Sequence, residues 1–346
     1  MSALVTPLES PVIDQLSRPM RALRISLTDR CNLRCTYCMP EAKYDWLPQD
    51  AYLSTEDILQ LTRSFYRLGM TKLRLTGGEP LIRRDVVDII RLLRKHFPDL
   101  NLALTTNGTL LAPVAKDLKS AGLNRLTISI DSVDSRRFQL LTRRDQLDSV
   151  RSGIEAAHQA QFDSLKLNAL LFNGIRDEAP KLLKLAADYK AELRFIEYMD
   201  VGGATQWSTK DLINGASFRE SLRAEFGKLR PLERAYGDTA KRFQFESGQT
   251  IGFIESMTHP FCETCDRSRI TADGIWFHCL YAPTGFDLKP WLNLPADDLE
   301  SKLRAHWVQR DAQGARTRKE TGQQGLLYSL EELRKQPHLE MHTRGG

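Results

Sequence analysis

Hydrophobic and polar residues alternate with a period of two along six short segments of the chain, which is typical of strands. The predicted strands are 23–28, 72–76, 101–106, 125–130, 165–171 and 192–198. Between most of them, apolar residues recur every three or four positions, which is typical of amphipathic helices. The predicted helices are 55–68, 85–96, 112–121, 148–161 and 178–190, the first behind a Ser54/Asp57 capping box. This alternation predicts a parallel sheet with right-handed crossovers.

The two faces of the predicted strands differ in polarity. The apolar faces include Leu23, Ile25, Leu73, Leu75, Leu126 and Ile128, and the polar faces include Arg24, Ser26, Arg74, Ser129, Lys166 and Asn168. An antiparallel sheet with one solvated face would alternate in the same way. The intervening helices favour a parallel sheet that curls around a wet, positively charged lumen, as an incomplete (β/α)6 TIM-type barrel. Such a lumen suits a polyanionic ligand, because its cations would otherwise be buried without partners.

The alternation ends near residue 200, where Gly202 and Gly203 predict a turn. Beyond it we expect an α+β extension with helices near 217–226 and 296–309 and short strands near 242–254 and 269–277. The polar segment 310–325 predicts a mobile loop. The chain therefore divides into an N-terminal tail (1–21), a barrel core (22–200) and a C-terminal region (201–346).

Composition and charge limit the class of protein. The 346 residues have the apolar and charged content of a soluble globular protein, and a net charge of +5 is too small to indicate a nucleic-acid partner. No apolar run reaches the roughly 18 residues that span a membrane, and the start lacks the basic and apolar regions of a secretion signal. We therefore expect a cytoplasmic protein. In that reducing compartment, the six cysteines suit metal binding or catalysis better than disulfides.

Three cysteines follow the first predicted strand. Cys31, Cys35 and Cys38 are spaced as C-x3-C-x2-C, with no fourth cysteine nearby. Structural zinc usually takes four closed ligands, commonly from two C-x2-C pairs, whereas cysteine thiolates are the usual ligands of iron-sulfur clusters. The spacing therefore favours a cluster over zinc. Three thiolates on a four-iron cluster would leave one iron open for another ligand.

The other three cysteines form a second incomplete set. Cys262, Cys265 and Cys279 are spaced as C-x2-C-x13-C. Either His278 or His259 would complete a Cys3His zinc site, so zinc is an alternative here on spacing alone.

The first cysteine motif, together with the segment "LTGGEPLIRRD" after the second strand, resembles the radical S-adenosylmethionine (SAM) enzymes. In that family, C-x3-C-x2-C holds a 4Fe-4S cluster whose open iron chelates SAM. Reductive cleavage of SAM then gives a 5′-deoxyadenosyl radical that abstracts a hydrogen atom from the substrate. Gly77, Gly78, Glu79 and Pro80 are similar to the family's SAM-binding segment, where glycine lets the backbone approach a ligand closely.

The two cysteine sets and the "CDRSR" segment that begins at Cys265 resemble a narrower family, the GTP 3′,8-cyclases, across nearly the whole chain. The resemblance implies conversion of GTP to (8S)-3′,8-cyclo-7,8-dihydroguanosine 5′-triphosphate, by abstraction of the ribose 3′ hydrogen and formation of a C3′–C8 bond. This reaction is the first step of molybdenum-cofactor biosynthesis. The resemblance also implies two 4Fe-4S clusters, one on each cysteine set. SAM would bind the first cluster, and the guanine of GTP would face the open iron of the second cluster, which the C-terminal extension carries.

Individual binding residues follow from the same resemblance. The implied SAM contacts are Tyr37, Gly78, Ser129 and Met199. The implied GTP contacts are Arg24, Arg74, Thr105, Lys166, Arg267, Ser268 and Arg269. Arginine and lysine suit a triphosphate because they donate charge-assisted hydrogen bonds. Because the cofactor supplies the radical, the chain's own catalytic candidates are limited to Arg267, Arg269 and the terminal Gly345 and Gly346, a tail that reaches the active site in this family.

The resemblance implies partners that the residues themselves do not reveal. They are a reductant protein or flavodoxin-like electron donor, a cyclic pyranopterin monophosphate synthase that receives the product, and a second copy of the chain in a homodimer.

Two alternatives stay open. One is a radical SAM enzyme that modifies a peptide or another small molecule; peptide-modifying relatives generally need more cysteines in the C-terminal half than the three present here. A zinc-stabilised binding module would use the same cysteines without catalysis.

Overall fold

The computed structural model describes residues 10–202 and 206–345. Its strands, in chain order, are β1 Ala22–Ser26, β2 Lys72–Thr76, β3 Asn101–Thr106, β4 Arg125–Ser129, β5 Ser164–Leu171, β6 Glu192–Glu197, β7 Leu229–Pro231, β8 Lys241–Phe245, β9 Thr250–Ile254, β10 Arg267–Ile270, β11 Ile275–Phe277 and β12 Phe286–Asp287. They form one sheet in the order β12-β11-β10-β1-β2-β3-β4-β5-β6-β9-β8-β7.

The helices, in chain order, are α1 Thr55–Arg67, α2 Val86–His96, α3 Ala115–Ser120, α4 Ser135–Thr142, α5 Leu147–Gln159, α6 Ile175–Asp188, α7 Gly215–Phe226, α8 Lys289–Leu292, α9 Ala296–Val308, α10 Gly314–Glu320 and α11 Leu330–Lys335. Those between the first six strands cover the outer face of the sheet. The predicted capping box of α1 is confirmed, because the Ser54 hydroxyl accepts the Asp57 N–H and the Asp57 carboxylate accepts the Ser54 N–H.

The prediction of a parallel sheet with one apolar and one polar face is confirmed. Strands β1 to β6 pair in parallel in chain order. Leu23 and Ile25 are buried in the core beneath the helices, whereas Arg24 and Arg74 point into a cavity on the other side of the sheet. The polar face is therefore the inner face of a partial barrel.

The C-terminal region continues the same sheet. Strand β9 pairs in parallel with β6, and β10 pairs in parallel with β1, so two strands from beyond residue 200 flank the six of the barrel. The predicted loop over 310–325 is wrong for Gly314–Glu320, which forms α10. Gly314 begins this helix against Tyr281, where a Cβ atom would lie 2.4 Å from the Tyr281 Cβ.

Residues 10–21, the described part of the predicted N-terminal tail, pack on the barrel. Ile13 and Pro19 form a β-bridge. Val12 and Met20 belong to the hydrophobic core. Within the described ranges, no helix has the length and apolar character that a membrane crossing requires.

Glu197, at the end of β6, fastens the C-terminal region to the barrel. Its fully buried carboxylate accepts the backbone N–H groups of Gly215, Met257 and Thr258, each at 2.9 Å. It also accepts the Thr258 hydroxyl at 2.5 Å.

We expect Glu197→Gln to lower the free energy of unfolding by about 3 kcal/mol, because a carboxamide has one acceptor oxygen where the carboxylate has two, and buried hydrogen bonds to charged groups are strong. The melting temperature of the anaerobically purified protein should fall by a few degrees. Glu220→Gln is the matched control, since Glu220 forms an exposed pair with Arg223 on α7. Equal melting temperatures for the two variants would contradict this role of Glu197.

Candidate active site

The inner face of the partial barrel and the C-terminal region enclose a cavity of about 370 Å³. Both cysteine sets line it, although they are far apart in the chain: Cys31, Cys35, Cys38, Cys262, Cys265 and Cys279. The fold therefore brings the two incomplete ligand sets to one site.

The first cysteine set lies in the loop after β1. Burial raises the pKa of the Cys31 thiol to about 11. Burial, together with neighbouring acidic groups, also raises the pKa values of Cys35 and Cys38 above those of ordinary thiols. Such thiols stay protonated unless a cation replaces the proton, and a coordinating metal does this. The set therefore fits a metal cluster.

A single metal ion fits the cysteines less well than a cluster does. Among the described residues, no three Cys, His, Asp or Glu side chains converge as the ligands of one ion would. A cluster presents several irons, so its thiolates need not converge on one point. The zinc alternatives therefore gain no support from the geometry.

Gly77 and Gly78 allow the loop after β2 to pack directly on the cysteine loop. A Cβ atom on Gly78 would lie 2.3 Å from the carbonyl oxygen of Arg30, and one on Gly77 would lie 2.4 Å from that of Thr28. The Gly78 N–H donates to the Thr28 carbonyl at 2.8 Å. Glycine is thus required here for loop packing, in addition to any close approach to a ligand.

Glu79 ties the same loop to the end of β3. Its fully buried carboxylate accepts the Asn107 N–H at 2.7 Å, the Thr106 hydroxyl at 2.7 Å and the Leu81 N–H at 3.1 Å. Burial raises its pKa to about 7, although these donors favour the charged form.

The second cysteine set has more positive surroundings than the first. Burial alone would raise the pKa of the Cys265 thiol, but the Arg267 and Arg310 guanidinium groups lower it to about 7. Burial raises the pKa of Cys262, against backbone N–H groups of α10 that favour its thiolate. Thiolates held near arginines again suit metal coordination.

Arginines line the cavity from neighbouring strands. The parallel register places Arg24 of β1 directly between Arg74 of β2 and Arg269 of β10, so three guanidinium groups form a row across the sheet. Burial and repulsion from neighbouring arginines lower the pKa values of all three, that of Arg269 to about 10. Arg267 and Arg194 line the same cavity. Cations that are at least half-buried and repel one another favour an anion, and a polyphosphate would supply it.

Comparison with known proteins decides the family. The model of the Radical SAM superfamily matches residues 25–186, and that of Molybdenum Cofactor Synthesis C matches residues 191–315. The chain is 44% identical to GTP 3′,8-cyclase 3 of Mycobacterium bovis, over 98% of this chain and 91% of that protein. It is 43% identical to GTP 3′,8-cyclase 1 of Mycobacterium tuberculosis, over 97% of this chain and 95% of that protein. The chain belongs to the GTP 3′,8-cyclase family.

Two solved structures of Streptococcus suis SuiB share the fold of this GTP 3′,8-cyclase family member. The TM-score is 0.60 against Streptococcus suis SuiB bound to its precursor peptide SuiA, at 14% identity over 89% of this chain and 67% of that chain. It is 0.58 against SuiB bound to S-adenosylmethionine, over 89% of this chain and 66% of that chain. At this identity the likeness concerns the fold alone, and it confirms the predicted mixed α/β partial barrel with a C-terminal extension.

Most of the binding residues implied by the GTP 3′,8-cyclase resemblance lie on the cavity wall. The four SAM residues do so: Tyr37, Gly78, Ser129 and Met199. Five of the seven GTP residues do so: Arg24, Arg74, Thr105, Arg267 and Arg269.

Lys166 and Ser268 are the two GTP residues outside the cavity wall. Lys166 is next to Thr127 in the strand register, on the inner face of the barrel, but its ammonium group lies 3.7 Å from the Glu192 carboxylate. Ser268 lies between two arginines that point inward, so the pleat directs its side chain to the opposite face. Its hydroxyl is buried and has no hydrogen-bond partner among the described residues.

Arg194 and Asp131 are among the polar residues of the cyclase cavity that were not predicted as binding residues. Arg194 lies between Leu193 and Phe195 of β6, so the alternation of polar and apolar residues indicates that it points into the cavity. Asp131 accepts the Tyr37 hydroxyl at 2.5 Å and the Leu170 N–H at 2.7 Å. It follows β4 on the polar face, but its pairing with Tyr37 depends on tertiary structure.

The C-terminal segment enters the cavity region. The Ser26 hydroxyl donates to the Thr343 carbonyl at 2.9 Å. The Gly345 carbonyl accepts the Arg24 guanidinium at 3.2 Å and the Arg269 guanidinium at 2.8 Å. Gly345 has a φ of +64°. Gly346 lies outside the described residues, as does Gly203 of the predicted turn.

Proposed function

We propose that this chain converts GTP to (8S)-3′,8-cyclo-7,8-dihydroguanosine 5′-triphosphate, with SAM on a 4Fe-4S cluster at Cys31, Cys35 and Cys38 and a second 4Fe-4S cluster at Cys262, Cys265 and Cys279. The observation that carries the proposal is that both cysteine sets and the row of three arginines line one cavity. When bound, the cluster and SAM would supply a carbon-centred radical able to remove the ribose 3′ hydrogen atom. Formation of the C3′–C8 bond would then need one electron from the external reductant and one proton to give the product.

The chain's own residues have the tasks of binding, orienting and excluding water. Arg24, Arg74 and Arg269 offer a triphosphate several charge-assisted hydrogen bonds on a rigid sheet. The cysteine sets fix where the two clusters lie relative to the nucleotide, so the reacting atoms meet in a near-attack geometry. The C-terminal segment at Gly345 covers the arginines and keeps solvent away from the radical.

The decisive experiment uses GTP deuterated at the ribose 3′ position, with anaerobically reconstituted protein, SAM and a strong reductant. We expect deuterium in 5′-deoxyadenosine, and none when the deuterium is at the ribose 2′ position. Unlabelled 5′-deoxyadenosine from both substrates would overturn the proposed substrate and favour a peptide-modifying enzyme. Protein that contains zinc and no iron would overturn the radical chemistry as well.

The protonation of Lys166 should make nucleotide binding depend on pH. Burial and repulsion from Arg194 lower the pKa of the Lys166 ammonium group to about 7, although Glu192 opposes this. A bound triphosphate favours the charged form and so raises this pKa. Above pH 7, GTP binding should therefore be accompanied by the uptake of as much as about one proton, and the affinity for GTP should fall as pH rises. Below pH 7, Lys166 is already charged before GTP binds, so this proton uptake should vanish.

Calorimetric titration with GTP in buffers of different ionisation enthalpy measures this proton uptake. Lys166→Arg is the matched variant, because it keeps the positive charge but cannot lose its proton near neutral pH. We expect it to bind GTP at pH 8 without proton uptake. The same proton uptake in Lys166→Arg as in the unmodified protein would show that another group titrates.

Four further points stay predictions. The family resemblance predicts an electron donor such as a flavodoxin-like protein, transfer of the product to a cyclic pyranopterin monophosphate synthase, and homodimerisation. The composition predicts a cytoplasmic location.

A further inference from the structure

A buried ion triad lies directly behind the second cysteine set. The carboxylate of Asp14 accepts the Arg18 guanidinium at 2.7 Å and the Arg310 guanidinium at 2.6 Å. The exposed fractions of the three side chains are 0%, 0% and 1%. Asp14 also accepts the backbone N–H groups of Leu16 and Arg18. The segment 10–21 is thus joined to the end of α9 through charges that water does not reach.

Both guanidinium groups of the triad donate to the cysteine segments. Arg310 donates to the carbonyls of Cys265 and His278, each at 3.1 Å, and to the Cys265 sulfur at 3.4 Å. Arg18 donates to the Cys262 carbonyl at 3.0 Å. The triad therefore holds the backbone at two cysteines and at the residue before the third, Cys279.

The triad itself carries a net positive charge. Two guanidinium groups and one carboxylate give +2 − 1 = +1 in a region without solvent. One Arg18 nitrogen, Nη2, is buried and has no hydrogen-bond partner among the described residues. A buried net charge is costly unless an opposite charge lies close by. Three thiolates on a 4Fe-4S cluster would provide a net negative charge next to Arg310.

The first cysteine set differs from the second at its sulfur atoms. Arg34 donates to the Cys31 carbonyl at 2.6 Å. The side chains that hydrogen-bond to sulfur there are neutral: the Asn107 amide, at 3.8 Å from Cys31, and the Tyr37 hydroxyl at Cys35. Hydrogen bonds to sulfur and nearby positive charge both favour the reduced, more negative state of an iron-sulfur cluster.

We propose that Asp14, Arg18 and Arg310 are positioning residues of the second cluster, which fix its cysteine segments and raise its reduction potential. This inference rests on the proposed function, since it requires a cluster at Cys262, Cys265 and Cys279. If so, the segment 10–21 is part of the site of the second cluster.

The test is a redox titration of the reconstituted full-length protein, followed by electron paramagnetic resonance. The signal that changes on addition of SAM belongs to the first cluster and serves as the internal reference. Arg310→Gln lowers the triad charge from +1 to 0. At a fixed potential we expect the reduced-to-oxidised ratio of the second cluster to fall about tenfold, which is a downward shift of about 59 mV for one electron. Asp14→Asn raises the triad charge to +2 and should shift the midpoint in the opposite direction.

Arg310→Lys keeps the charge but loses the planar fork, so its midpoint should lie between those of the unmodified protein and Arg310→Gln. If Arg310→Gln loses only the iron of the second cluster, the positioning role is supported, and Arg310→Lys and Asp14→Asn decide the effect on the potential. Shifts in the same direction for Arg310→Gln and Asp14→Asn, equal shifts of both clusters, or no shift would overturn the inference. Unmodified protein that reconstitutes with only one cluster would instead overturn the proposed function.

Discussion

Gly78→Ala should lose most of its turnover together with the iron of the first cysteine set. The added Cβ would lie 2.3 Å from the Arg30 carbonyl oxygen and 2.6 Å from that of Asp29, both backbone atoms next to Cys31. The cysteine loop must therefore move. A misplacement on the order of 1 Å at a reacting centre costs about 100-fold in rate, and we expect a loss of at least that size.

Iron analysis and formation of 5′-deoxyadenosine measure the two effects of Gly78→Ala separately. Gly248→Ala is the control: Gly248 lies in the turn between β8 and β9 with a φ of +87°, so alanine there adds backbone strain, but its Cβ atom meets nothing within 4 Å. We expect it to keep its iron and its turnover. A Gly78→Ala protein with both clusters and full turnover would show that the loop accommodates the methyl group and that the close packing does not matter.

Gly345→Ala should reduce turnover by about 10- to 100-fold while leaving both clusters and the melting temperature unchanged. Its φ of +64° is unfavourable for alanine by roughly 1–2 kcal/mol, and the new Cβ would lie 2.2 Å from the Thr76 Cγ2. Both effects displace the carbonyl that Arg24 and Arg269 bind. The tail would then leave the cavity region without disturbing the barrel.

Steady-state formation of the cyclised product measures the effect of Gly345→Ala. Gly322→Ala is a close control, since Gly322 has a similar φ of +67°, but an added Cβ atom there meets nothing within 4 Å. It carries the same backbone strain without the steric clash. If both variants lose turnover equally, strain rather than docking of the tail is responsible; if neither does, the position of Gly345 is not needed for catalysis.

The barrel could be predicted from the sequence because its strands repeat one simple pattern. In β1 and β2, each leucine or isoleucine of the outer face alternates with an inward arginine, serine or threonine, and the intervening helices exclude the antiparallel alternative. The same alternation places Arg194 on the polar face of β6, between Leu193 and Phe195. Local periodicity was therefore sufficient for the inner face of the sheet.

Features that depend on distant contacts could not be predicted in this way. The polar segment 310–325 has the composition of a loop, yet α10 begins at Gly314. Gly314 packs closely on Tyr281, a contact between residues distant in the chain. Ser268 shares a segment with two inward arginines, and only the pleat of β10 shows that it faces away from them. The burial of Arg18 depends on α9, almost 300 residues later in the chain.

The strand order also bears on how the chain is made. On the ribosome, β1 is synthesised early, but its partner β10 follows much later: Ala22 pairs with Arg267, 267 − 22 = 245 residues further on. Until then the edges of β1 and β6 present unpaired backbone groups, which are templates for association with other chains. Pairing across such a sequence separation is slow, and partly made sheets aggregate. A nascent or truncated chain that ends near residue 200 is therefore an aggregation hazard rather than a minimal folding unit.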